Sequence, residues 1–151
     1  MEKKIKYVHT NLIARDWKKL ARFYIEVFGC TSTYPERDLS GPWIEKMTGI
    51  AGVRIRGVHL KLPGYENGPT LEIFSYQPQI NSPAPSVHQT GFGHIAFHVD
   101  EVEEILQKVV DHGGSNYGEK IEAEIPGAGF LEAVYARDPE GNIIEIQHWT
   151  K

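Results

Sequence analysis

The chain is written twice, and that duplication restricts its fold more than any other feature of the sequence. His9 is followed seven residues later by Asp16, then by a segment of helical apolar period, then by Gly29. His94 is followed six residues later by Asp100, a second such segment and Gly113. From aspartate to glycine the distance is thirteen residues in both halves. Farther on, Gly68 precedes Glu72 by four residues, and Gly141 precedes Glu145 by four. The His-to-Glu separation is 63 in the first half and 51 in the second, so the first half carries twelve additional residues.

The segments between these markers agree. Apolar residues at 17, 20, 23, 24, 27 and 28 form one stripe of a helix that Asp16 can cap and Gly29 can end in a left-handed conformation. Val102, Ile105, Leu106, Val109 and Val110 form the same stripe in the second half, where Asp100 with Glu103 reads as a capping box and Gly113 as the stop. Each helix is preceded by a strand and followed by a hairpin. Residues 53–62 turn through Pro63-Gly64 toward the Glu72 strand, and residues 131–137 turn through Asp138-Pro-Glu-Gly141 to the Glu145 strand. One further strand is expected near 30–35 and another near 115–125. The expectation is one α+β domain over 1–151, made of two βαβββ modules at 4–77 and 92–150. The proline-bearing stretch 78–91 links them.

Composition excludes several classes. With 40% apolar and 24% charged residues the chain is ordinary for a globular protein. A net charge of −4 and a pI near 6.0 leave no basic footprint, so no nucleic-acid partner is expected. The opening Met1-Glu-Lys-Lys lacks a following signal-peptide core, and no apolar run has membrane-span length, so no membrane partner is expected. Cys30 is the single cysteine, which excludes an intrachain disulfide and suits a reducing compartment. A cytoplasmic location is expected, with Cys30 a buried small residue rather than a nucleophile.

Strand parity sorts the polar residues, because alternate side chains share a face. Thr70, Phe74 and Tyr76 go with Glu72. Tyr7, Asn11 and Ile13 go with His9. Phe92, Ala96 and His98 go with His94, and Ile143, Gln147 and Trp149 with Glu145. The opposite, aliphatic faces are expected on the helices. A lone strand glutamate is usually solvent-facing and a lone strand histidine a satisfied polar group. Four such groups at matching offsets of a repeat point instead to a ligand set: His9, Glu72, His94 and Glu145. Two imidazoles and two carboxylates offset the charge of one divalent ion and suit Zn, Ni, Co, Mn or Fe. They also relieve the cost of burying an unpaired carboxylate. His98 stands about 13 Å along the strand from His94, too far to share an ion, and reads as a substrate-contacting wall residue with Asn11, Phe74 and Gln147. His59, His88, His112 and His148 have no repeat partner and read as surface or supporting residues. Arg54 and Arg56 read as a solvated strand face.

The stretches His9-Thr-Asn-Leu, Phe23-Tyr-Ile-Glu-Val-Phe-Gly29, Leu71-Glu-Ile-Phe, Gly93-His-Ile-Ala-Phe-His-Val-Asp100 and Asp138-Pro-Glu-Gly-Asn-Ile-Ile-Glu145 resemble the vicinal-oxygen-chelate superfamily. That superfamily takes in glyoxalase I, methylmalonyl-CoA epimerase, extradiol dioxygenases and resistance proteins of the fosfomycin and bleomycin type. The resemblance implies a cup-shaped, roughly eight-stranded mixed sheet with the helices on its outer face and a metal at its base. It also implies a small-molecule substrate and a homodimer. The family's ligand positions carry over as His9, Glu72, His94 and Glu145. Extradiol dioxygenases and fosfomycin-type enzymes use three ligands, here His9, His94 and Glu145. Epimerases tend to have glutamine where Glu72 stands, and metal-activated bacterial glyoxalase I has glutamate there, as this chain does. The segment Asp38–Gly49 exceeds the compact bacterial enzyme and is expected to form a short helical lid, with Trp43 and Met47 either lining a substrate or packing into the core beneath a loop.

Glyoxalase I and the epimerases share the removal of a proton from carbon next to a metal-bound carbonyl, through an enediolate or enolate. The expected activity is therefore that of a metal-dependent lyase or isomerase, with Glu145 as principal base and Glu72 as ligand and second proton carrier. Two other classes stay open: a non-haem iron dioxygenase using His9, His94 and one glutamate, and a drug-binding resistance protein.

Overall fold

The computed structural model describes residues 2–151, which form nine strands and three helices. They divide into two compact units, one of residues through Ile25 with Gly29–Asn81, the other of Glu26–Phe28 with Ser82–Lys151. The first unit holds β1 (His9–Ile13), most of α1 (Trp17–Phe28), β2 (Thr31–Ser32), β3 (Arg37–Ser40), α2 (Pro42–Thr48), β4 (Arg54–Lys61) and β5 (Thr70–Gln77). The second holds β6 (His94–His98), α3 (Val102–Asp111), β7 (Ser115–Ile125), β8 (Gly129–Arg137) and β9 (Ile143–Thr150).

Both sheets have one order. In the first, β1 runs parallel to β5, β5 pairs with β4, and β2 and β3 share the far edge of β4. In the second, β6 runs parallel to β9, followed by β8 and β7. The fold is thus α+β, a βαβββ module written twice. The count is nine strands rather than eight because the edge position of the first module is split into β2 and β3. The second module keeps a single edge strand, β7, but its register slips between Tyr117 and Ile121, where the three residues 118–120 of β7 face Val134 alone on β8.

The helices form where the stripes place them. Asp16 accepts a hydrogen bond from the Lys19 N–H at 3.1 Å, and Gly29 adopts φ 74° so that its N–H reaches the Ile25 carbonyl. Leu20, Phe23, Tyr24 and Val27 on the stripe are buried. Cys30 follows, 3% exposed, and burial pushes its thiol up to about 12, so it is an inert core residue. The start of α3 departs from the expected capping box. The cap position is Glu101, which makes no side-chain cap bond, and Asp100 stands outside the helix. Glu103 and Glu104 in the first turn oppose the positive end of the helix dipole instead. Among the described residues, no helix is long and apolar enough to cross a membrane.

Most of the twelve additional residues lie in the stretch that forms β3 and α2, and three lengthen the hairpin loop, 62–69 here against 138–142 in the second module. Ile44 of α2 is buried against Val53, Ile55 and Phe74, with Leu39, Ile50 and Tyr76 around them. Register puts Ile55 opposite Tyr76 and His59 opposite Glu72, so α2 is docked on the same sheet face that carries Glu72. Trp43 and Met47 are 55% and 79% exposed, so neither packs into the core. Arg54 pairs with Asp38 through both ends of its guanidinium at 2.8 and 2.9 Å and shares the face opposite to Glu72.

One glycine sets how closely β4 approaches β5. Gly57 lies opposite Phe74, and a Cβ on it would sit 2.0 Å from the Ile73 carbonyl oxygen and 2.5 Å from Phe74 Cδ1. Gly57→Ala must push β4 off β5 two residues from Glu72. The expected result is a loss of about 1–3 kcal/mol, read as a lower urea midpoint at unchanged slope.

Candidate metal centre

Glu72 sits on a central strand between two donors. Parallel pairing of β1 with β5 places Asn11 beside Glu72 and His9 two residues diagonally from it, and β4 brings His59 to its other side. The Asn11 amide donates to Glu72 Oε1 at 2.8 Å, and His9 Nε2 lies 3.5 Å from the same oxygen. His59 Nε2 lies 2.6 Å from Oε2. One ligand atom each of His9, His59 and Glu72 falls within 4.8 Å of the others. Burial holds the His59 imidazole below its ordinary pKa, outweighing the Glu72 carboxylate, which acts in the opposite sense. A neutral ring donates its Nε2–H to Glu72 and accepts from the Thr70 hydroxyl at Nδ1, 3.2 Å away. Tyr76, on the same face, has its phenol pKa raised by burial and by the Glu72 charge.

The second module repeats the diagonal with different neighbours. β6 and β9 pair so that Ala96 is beside Glu145 and His94 two residues diagonally from it. His94 Nε2 is 3.9 Å from Glu145 Oε2. Ala96 offers no donor where the first module has Asn11. Gln147 Nε2 donates to Glu145 Oε1 at 3.4 Å, and the Trp149 indole N–H donates to Gln147 Oε1. Opposite Glu145 stands Tyr135, whose ring meets the edge of His94 at 5.0 Å between centroids.

Each unit therefore brings its own histidine and glutamate together, with Asn11 in the first and Gln147 in the second. Phe74 is 7% exposed, its ring edge-on to His59 at 6.1 Å and its other side in the α2 cluster. His98 stacks on His148 with 5.0 Å between ring centroids. His59, expected as a surface or supporting residue, is in direct contact with Glu72, the supporting alternative of the two. Its counterpart across the other hairpin is Tyr135, so matching the two halves cannot reveal it. The hairpin loop, residues 62–69, is also too long for counting outward from a tight turn to fix its register.

The donor set fits a divalent transition ion. Nitrogen and oxygen ligands meet in each unit, Glu72 is only 9% exposed, and the ion pairs of both glutamates are with histidines rather than with lysine or arginine. A cation at these groups would compensate the carboxylate charge.

Comparison with known proteins identifies the family. The model of the Glyoxalase/Bleomycin resistance protein/Dioxygenase superfamily matches residues 6–146, and the chain belongs to that superfamily. Among solved structures, a glyoxalase family protein from Bacillus cereus is similar with a TM-score of 0.85 at 17% identity, over 99% of this chain and 97% of that one. A glyoxalase family protein from Enterococcus faecalis gives 0.58 at 22% identity, over 97% and 98%. The fosfomycin resistance protein FosX from Listeria monocytogenes, in complex with Mn(II) and sulfate, gives 0.55 at 18%, over 99% and 95%. At such identities the likeness is one of fold. No curated protein matches the chain.

Proposed function

We propose that this protein is a metal-dependent lyase or isomerase of the glyoxalase or epimerase kind, which takes a proton from carbon next to a substrate carbonyl. His9, Glu72, His94 and Glu145 would hold one divalent ion of Zn, Ni, Co, Mn or Fe. The ion supplies Lewis-acid stabilisation of the negative charge that develops on the substrate oxygen. The observation that carries the proposal is the repeated diagonal: each module sets a histidine two residues from a glutamate across a parallel strand pair.

The unequal surroundings of the two carboxylates support unequal roles. Glu72 has Asn11 on one oxygen and His59 on the other, so it is held in place and suited to ligation. Glu145 receives one long hydrogen bond from Gln147 and keeps lone pairs for a proton, which suits the general base. Gln147, itself held by the Trp149 indole, aims that carboxylate. Asn11 and Gln147 would offer polar contacts to a substrate, Phe74 and Trp43 apolar ones. The proposal takes the protein as a cytoplasmic homodimer acting on a small molecule.

The test is metal analysis of protein purified without added metal, together with solvent deuterium exchange into carbonyl compounds bearing an acidic neighbouring C–H. Exchange that needs nickel, cobalt, zinc or manganese and disappears with a chelator is the expected result. Iron accompanied by oxygen consumption would replace the proposal with a dioxygenase. Tight binding of a hydrophobic drug that survives both chelation and Glu145→Gln would replace it with a sequestering protein.

A further inference from the structure

The second unit carries another group of metal-ligating side chains outside the repeat, at the end of β6 and β9, where His98 pairs with Gln147 two residues past Glu145. His98 ends β6, Asp100 follows two residues on, and His148 lies near the end of β9. One ligand atom from each falls within 4.8 Å of the other two. We propose that His98, Asp100 and His148 form a second divalent-cation site, selective for late first-row ions such as Zn, Ni, Co or Cu.

Each member arrives there for a local reason. Val99 continues the ladder by donating its N–H to the Gln147 carbonyl at 2.8 Å, so the chain is still extended where His98 and Asp100 flank it. Residues two apart on an extended chain project to the same side. Asp100 does not cap α3, because the cap position is Glu101, and its carboxylate is left for other use. The Lys120 ammonium, which neutralises acidic groups in this unit, is taken by Glu103 and Glu132.

His148 supplies the strongest argument. Its Nδ1 is 2.7 Å from the Val99 carbonyl oxygen, an atom that only accepts, so Nδ1 carries the proton and donates. That fixes the tautomer with a lone pair on Nε2. A backbone carbonyl bound to the far nitrogen is the arrangement that orients imidazole ligands in metal sites and raises their basicity. The bond also draws the ring to the end of β6, where it stacks on His98 with 29° between planes. Two stacked rings that both carried a proton on each nitrogen would repel. A shared cation instead uses their lone pairs, with the Asp100 carboxylate offsetting its charge.

Two nitrogens and one oxygen select late first-row ions over calcium or magnesium, which take oxygen ligands. Donors bound to one zinc lie about 2.0–2.2 Å from it, so ligand atoms within 4.8 Å of one another stand near the span that one ion bridges. His98 and Asp100 are exposed, which leaves an open coordination position to solvent.

The probe is Zn²⁺ alone, titrated calorimetrically into the full chain, with Co²⁺ absorption as a second readout of coordination. In a chain bearing His9→Ala and Glu145→Gln, one equivalent of Zn²⁺ is expected still to bind. Adding either His98→Ala or Asp100→Asn to that background is expected to weaken it at least tenfold. Both residues are exposed, so neither change threatens folding, which circular dichroism checks. A background chain that takes up no ion overturns the proposal, and so does uptake unchanged by His98→Ala and Asp100→Asn. The outcome is separable from that for the proposed function: wild type binds two ions if both sites exist. It binds one, lost with His98→Ala, if only this one does.

Discussion

Glu145→Gln is expected to cut turnover by about a thousandfold or more while leaving the fold intact. Glutamine has the same shape and still accepts the hydrogen bond from Gln147 at its carbonyl oxygen, but it cannot take a proton at neutral pH. Loss of a general base costs about 10²–10⁴-fold, and loss of the carboxylate charge at the ion adds to it. Glu72→Gln should behave differently. Glutamine offers one acceptor where the carboxylate offers two, so it keeps one of the hydrogen bonds from Asn11 and His59 while the other partner must turn, and epimerases of the family resembled here tend to have glutamine at this position. A fall of about tenfold is expected from the weaker field at the ion. Deuterium exchange measured for both variants, at matched metal content, checks the split. A larger loss in Glu72→Gln than in Glu145→Gln would exchange the two roles.

Much of this arrangement was legible in the sequence because the duplication does two independent jobs. It supplies a second copy of each helix stripe and hairpin, so α1 and α3, β5 and β9 were each recognised by comparison with a partner. It also filters polar residues: His9 with His94, and Glu72 with Glu145, survive because the same offset recurs. The filter fails where the halves diverge. His59 opposes Glu72 while Tyr135 opposes Glu145, so the residue nearest to Glu72 Oε2 looked ordinary. Asn11 and Ala96 diverge in the same way, and the unequal hold on the two carboxylates follows from that pair.

Tertiary context decided the remaining differences. The stretch 38–49 has helix-forming character and an exposed aromatic, which reads equally well as a lid. What anchors α2 is Ile44 entering a cluster with Ile55 and Phe74, contacts made across the sheet and invisible to local pattern. Asp100 three residues before Glu103 has the spacing of a capping box, yet the helix begins one residue later. The extended run of β6 carries through Val99 and leaves Asp100 outside the first turn. A short polar side chain at a strand-to-helix corner has two competing uses, and sequence spacing alone does not choose between them.

His9→Ala carries the second large effect, and it separates a metal centre from an ordinary ion pair. As a purely structural contact, His9 beside Glu72 is a partly exposed pair, 36% exposed on the histidine side, of a kind worth about 0–1 kcal/mol. Its loss would then barely move stability, with or without metal. As a ligand, its removal should weaken binding of the ion by more than the 10–100-fold typical of losing a residue that merely supports a ligand. Asn11→Ala is the internal standard for that smaller class, because its amide touches Glu72 Oε1 and supplies only the supporting hydrogen bond. The measurement is thermal unfolding with and without added metal. An ion at a hundred times its dissociation constant stabilises the native state by about 2.7 kcal/mol. Measured in a common His98→Ala background, which removes the contribution of the second proposed site, the parent chain should show that shift in full, Asn11→Ala a reduced one and His9→Ala next to none at the same concentration. Equal shifts in all three proteins would mean that the ion binds without His9, and the repeated diagonal of histidine and glutamate would then have no part in holding it.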